Sequence, residues 1–161
     1  MPWHPLHASL MRLVSLVLVV LAAVAPPWGW PSTAPHQVVR PFIAPATPYG
    51  SGHRGVDLAA GTALVAPADG MVSFAGRVVD RGVLSISHGG GVVSSYEPVT
   101  TSLVAGDIVH RGDVIGSVEA GHCSILCVHM GVRVDGEYVN PLLYLGEVPH
   151  SVLLPTRDVG G

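Results

Sequence analysis

Apolar residues fall along this chain in three different ways. Leu13 to Ala25 is an unbroken thirteen-residue apolar run without a charge, preceded by Arg12. Residues 26–49 hold prolines 26, 27, 31, 35, 41, 45 and 48, the composition of an extended linker. From about Val38 onward, short valine- and isoleucine-rich stretches with period-two alternation are cut by glycine every 8–12 residues. Period two with frequent turn residues is the pattern of an antiparallel β domain. It predicts strands at Ala63–Ala66, Gly70–Ala75, Val83–His88, Val92–Glu97, Asp107–Val109, Val114–Ala120, Cys127–Val134 and Glu137–Val139. Asp135-Gly136 predicts a type I′ hairpin between the last two. No stretch of ten or more residues past Ala25 combines helical periodicity with caps. The expected fold is all-β, with a single antiparallel sheet core. The expected organisation is 1–25 targeting segment, 26–47 linker, 48–146 domain and 147–161 flexible tail.

The apolar run is too short for a bilayer core, which takes about 20 helical residues. It fits the apolar centre of a secretory signal, with Arg12 and nearby histidines as its basic start. Ala23-Val24-Ala25 has the small-x-small form of a cleavage site, but Pro26 follows directly, so an uncleaved anchor stays open. Export is expected, to the cell envelope or the exterior.

The chain has 161 residues, enough for one core and not two. Its 8 basic residues are all arginine, set against 11 acids, for a net charge of −3. Charged residues make up 12%, about half the usual quarter. Without a basic excess, nothing in the charge balance favours binding by phosphate neutralisation, and no nucleic-acid partner is expected. Without lysine there is no Schiff-base chemistry and no lysine-borne prosthetic group.

The candidate chemistry lies in two pieces. In Gly52-His53-Arg54-Gly55-Val56-Asp57, a histidine and an aspartate four apart flank a glycine. In Cys127-Val128-His129, residues two apart share a strand face. Two nitrogens and one carboxylate, from His53, His129 and Asp57, make a three-ligand zinc set with an open position for water. Calcium and magnesium favour all-oxygen shells instead. Cys123 and Cys127 lie four apart in an oxidising compartment, which leaves a short-loop disulfide or two free thiols open.

From Tyr49 to Leu145 the chain resembles the lysostaphin-type, or LytM-type, zinc endopeptidases that cut peptidoglycan cross-bridges. The matching stretches begin with Pro48-Tyr49-Gly50, His53-Arg54-Gly55-Val56-Asp57-Leu58 and Ala66-Pro67-Ala68-Asp69-Gly70-Met71-Val72. They continue with Gly106 to Gly116, His129 and Val139-Asn140-Pro141-Leu142. The resemblance implies a β-sheet core like the duplicated hybrid motif, with zinc on His53, Asp57 and His129, and peptidoglycan as substrate. A monomer is expected.

Two positions depart from the family pattern. The usual His-x-His reads Cys127-Val128-His129, and the histidine expected two residues after a tyrosine is Pro98 in Tyr96-Glu97-Pro98. Cys-x-His with Tyr-Glu-Pro is similar to a subgroup common in actinobacteria. Both histidines that assist catalysis in the family are therefore missing. His122, Glu97 and Tyr96 are the candidate substitutes. Cys127 holds the position of one assisting histidine; in a disulfide it is neither ligand nor acid, and as a free thiol it would be a fourth zinc ligand. Losing one preorganised donor costs roughly 10²–10³ in rate, so a slow enzyme is expected.

His88 is expected to end a strand, His110 to be solvated in a hairpin, and Trp28 and Trp30 to precede the domain. A secreted zinc endopeptidase is the leading reading. The alternative is a catalytically inactive, zinc-bound module that binds cell wall or regulates a hydrolase through a partner protein. The Gly106–Gly116 stretch also resembles the hairpin of biotinyl and lipoyl carriers, which the absence of lysine removes. A sugar-transport phosphocarrier would be cytoplasmic, against the export segment.

Overall fold

Alternating burial along the strands builds two antiparallel sheets around one apolar layer. The structure is a computed structural model that describes residues 28–47 and 49–146. The targeting segment and the tail after Gly146 lie outside the described residues. Among the described residues, eleven strands follow in chain order. They are β1 Val38–Arg40, β2 Val56–Ala59, β3 Ala63–Val65, β4 Gly70–Val78, β5 Arg81–Ser87 and β6 Val92–Glu97. Then come β7 Val99–Thr100, β8 Ile108–Val109, β9 Val114–Val118, β10 Cys127–Val134 and β11 Glu137–Val139. A 3-10 turn, Pro141–Leu143, is capped by the Asn140 side chain, which accepts from the Leu142 amide. The large sheet is ordered β1-β2-β10-β6-β5-β4-β8, with β11 also on β10. The small sheet is β3-β9-β7.

Val56, Leu58, Val128, Met130, Val132, Leu84 and Ile86 share the inner face of the large sheet and are fully buried. Leu64, Ile115, Val99 and Val118 of the small sheet complete that layer. Each such side chain contributes about 1.5–3 kcal/mol on burial. Residues of opposite parity, among them Asp57, His129 and Glu97, project from the other face.

β10 is the organising strand. One edge pairs with β6 over His129–Val134; the other is shared by β2, opposite Cys127–Met130, and β11, opposite Val132–Val134. The β10–β11 turn has positive φ at Asp135 (50°) and Gly136 (91°), as a type I′ hairpin needs.

All eight expected strands are present, three with the expected ends (Val92–Glu97, Cys127–Val134 and Glu137–Val139) and five with shifted ones, and three more join them. β2 was hidden in the candidate metal motif, and β7 is only two residues long. β1 lies within the proline-rich stretch expected as a linker and pairs with β2. Upstream of it, Trp28 and Trp30 pack against the core rather than merely preceding the domain. Trp28 sits 4.3 Å from the His88 ring and 4.6 Å from Tyr144, while its amide donates to the Tyr144 carbonyl. Proline rules out helix but not a short edge strand, which is how this segment is used.

Candidate metal centre

Strand register places the first two donors. Asp57 on β2 and His129 on β10 are direct cross-strand partners, and His129 is likewise opposite Glu97 on β6. Paired residues share a face, so Asp57, His129 and Glu97 form a row across three neighbouring strands. His53 arrives from outside the sheet. Its backbone bridges to Ile43 in both directions, with His53 N to Ile43 O at 2.8 Å and Ile43 N to His53 O at 3.0 Å.

Three donor atoms converge. His53 Nε2 lies 3.1 Å from Asp57 Oδ1 and 3.1 Å from His129 Nδ1, and His129 Nδ1 lies 2.8 Å from Asp57 Oδ1. The edge of a zinc tetrahedron with ligand bonds of 2.0–2.1 Å is about 3.3 Å, close to this triangle. The side chains of His53 and Asp57 are buried.

His53 Nδ1 is 2.7 Å from the Pro41 carbonyl, which only accepts. The ring proton therefore sits on Nδ1, and Nε2 presents a lone pair to the other two donors. A lone pair held toward a carboxylate inside a buried triangle fits a cation at its centre. Carbonyl orientation of a histidine through its second nitrogen is a recurrent feature of metal sites.

Burial pushes the His129 imidazole below its ordinary value, against the opposing pull of the Asp57 carboxylate. Burial acting alone would raise the Asp57 carboxyl; hydrogen bonds from His129 and His122, with nearby imidazole charge, outweigh it and hold the group below its ordinary value. Both shifts favour the forms a cation binds, neutral imidazole and ionised carboxylate.

Gly55 explains the glycine between the two donors of the motif. A Cβ there would fall against the Met130 carbonyl and 2.5 Å from His129 Nε2. Only glycine lets this turn close against the His129 ring.

The remaining expected residues separate clearly. Cys127 is bonded to Cys123, with the Cα atoms 6.0 Å apart, and no free cysteine exists. Its sulfur is therefore not available as ligand or acid, and the neighbouring grouping of His122 with the two cysteines offers no thiolate. Tyr96 is opposite Met130 on the inner face and fully buried, with its hydroxyl donating to Ser94 Oγ at 2.9 Å. It presents no polar atom to the donor triangle. Glu97 faces the same side as His129 and lies 3.7 Å from the Arg81 guanidinium.

His122 reaches the site, its Nε2 3.1 Å from Asp57 Oδ1 and its ring edge-on to His129 at 5.7 Å between centroids. A cleft of about 350 Å³ opens beside it, walled by Pro98, Arg81, Asp80 and Glu119. His88 follows β5 and packs under Trp28, and His110 is exposed, 3.8 Å from Asp69. In the sequence Pro41 stands out only as one of the linker prolines, and Ile43 not at all. A backbone carbonyl leaves no mark on residue type, so no signal pointed to them.

Two imidazoles and a carboxylate, with His53 and Asp57 buried and His129 half-buried, form the donor set of a metal site on an antiparallel two-sheet core. Residues 51–141 match the signature of Peptidase family M23, and the chain belongs to that family. Over 130 residues it is 40% identical to an uncharacterized protein of Mycobacterium tuberculosis, covering 75% of this chain and 52% of that one. It is 33% identical over 124 residues to the murein hydrolase activator NlpD of Escherichia coli, covering 73% of this chain and 31% of NlpD. The chain thus spans about half the length of the mycobacterial relative and less of NlpD. Its fold matches the catalytic domain of lysostaphin from Staphylococcus simulans, with a TM-score of 0.59 and 18% identity over 70% of this chain and 93% of that domain.

Proposed function

We propose that this chain is an exported zinc endopeptidase that cuts peptide bridges of peptidoglycan. The observation that carries the reading is the His53–Asp57–His129 triangle, in which the Pro41 carbonyl turns an unprotonated nitrogen inward. His53, Asp57 and His129 hold the ion. Bound zinc supplies a Lewis acid and a water whose pKa falls to about 7. The cleft beside His122 receives the peptide, and Glu97 stands opposite His129 on the same face of the sheet. Residues 1–25 direct export. Cys-x-His with Tyr-Glu-Pro places the chain in an actinobacterial-type subgroup, which its likeness to the mycobacterial protein supports.

Zinc content and cleavage of purified peptidoglycan, compared for wild type and His129→Ala, test this. The expected result is one zinc per chain and slow cleavage in wild type, both lost in the variant. Zinc binding without cleavage by wild type would overturn the enzyme reading.

A second reading rests on a specific observation: Cys127 is consumed in a disulfide and position 98 is proline, so neither place offers an imidazole. In that case the chain, with its zinc, activates a separate murein hydrolase; its relative NlpD carries the name of a murein hydrolase activator. It would then raise hydrolase activity while cutting nothing itself.

A further inference from the structure

The segment between β9 and β10 has its one imidazole turned inward, and three independent restraints hold it there. Glu119 N donates to the Pro98 carbonyl at 3.0 Å at its start. Ala60 N donates to the Leu126 carbonyl at 3.1 Å near its end. Between them, Cys123 is bonded to Cys127, the first residue of β10. Cys127 and His129 are two apart on one strand, so the Cys127 sulfur lies on the face that carries the donor triangle. The bridge therefore draws Cys123, and with it His122, over that face. Gly121 turns the chain immediately before His122 with φ +113°, a shape that side-chain-bearing residues rarely adopt.

The outcome is the 3.1 Å contact between His122 Nε2 and Asp57 Oδ1. A carboxylate only accepts, so the imidazole donates. Carboxylates that bind metal are themselves oriented by hydrogen bonds, and removing such a partner typically weakens metal binding about 10–100-fold.

We infer that His122 is a positioning residue for the Asp57 carboxylate, and that the Cys123–Cys127 disulfide serves the metal centre by holding His122 in place. The inference rests on the zinc reading above. It assigns the cysteine in the Cys-x-His motif a task that acts through another side chain.

The test is a set of zinc dissociation constants, measured by chelator competition on wild type, His122→Ala, His122→Gln, the pair Cys123→Ser and Cys127→Ser, and that pair combined with His122→Ala. His122→Ala should weaken zinc about 10–100-fold, while the metal-free chain melts only a few degrees lower, as loss of one hydrogen bond implies. His122→Gln, which keeps an N–H donor, should recover most of the loss. The serine pair should weaken zinc to a similar degree, and adding His122→Ala to it should change the constant by less than about twofold, because both act through one contact.

Unchanged zinc affinity in His122→Ala would overturn the inference, and so would losses that multiply in the combined variant. Because His122→Ala leaves the disulfide intact, the test survives if the serine pair fails to fold. A wild type that takes up no zinc would overturn the zinc reading itself, an outcome distinct from either of these.

Discussion

His129 and Asp57 face each other directly across the β10–β2 ladder, with Nδ1 and Oδ1 2.8 Å apart. A one-residue slip of either strand would send its donor to the apolar layer, so the register that buries Val56, Leu58, Val128 and Met130 also assembles the donors. Core packing and site geometry are fixed by the same pairing. Asp57→Asn keeps shape and removes charge. It is expected to leave the fold intact and to lower zinc affinity by more than the roughly 10–100-fold of an outer-shell change, measurable by competition with a chromophoric chelator.

Gly55→Ala should damage the site without touching a ligand. The added methyl meets the Met130 carbonyl and the His129 ring. Overpacking of this kind costs about 1–3 kcal/mol. Zinc content should fall along with the melting temperature, whereas retention of both would contradict the close approach described here.

Tyr96→Phe separates structure from chemistry. The Tyr96 hydroxyl donates to Ser94 Oγ on the inner face, and Ser94 in turn is 2.7 Å from His88 Nε2. Losing one such bond costs about 1 kcal/mol. Stability should drop by that order while zinc affinity and any cleavage rate stay unchanged; a large fall in rate at constant stability would put Tyr96 in the site.

His88 makes the fold acid-sensitive. Burial pushes its imidazole below the ordinary value, against the bond to the Asp69 carbonyl. The unfolded chain therefore binds this proton first, and stability declines as pH falls through about 6.5 before levelling off below the native value. Urea unfolding of Asp57→Asn, which silences the metal, should show this slope, and adding His88→Gln should reduce it to the share left by His129, whose imidazole burial also holds low. An equal slope in both would exclude His88 as its source.

The long strands were readable because they bury alternate residues between two sheets, as in Cys127–Val134, and the hairpin was readable because Asp135-Gly136 accepts positive φ. The donor residues stood out because His53 and Asp57 flank a glycine and His129 alternates with apolar neighbours. Less visible was whatever depends on distance in space. Tyr96 and Glu97 are adjacent in sequence, yet the pleat sends one to the core and one to the site face, and only the pairing with Met130 and His129 says which. His122 gave no pattern of its own; a disulfide four residues long brings it in. The prolines before Val38 read as linker because proline marks absent amide donors, not absent packing, and Trp28 makes its contacts through its ring.

The hydrogen bond from His53 to the Pro41 carbonyl has a consequence for where this module can be cut. Residues 51–141 carry the stretch shared with the family, but the atom that sets the His53 tautomer lies ten positions upstream of it. A fragment trimmed to the shared stretch would keep all three donor side chains and lose the orientation of one. Its boundaries as a transplantable unit are therefore wider than its boundaries as a recognisable one, and any chimera should begin before Trp28.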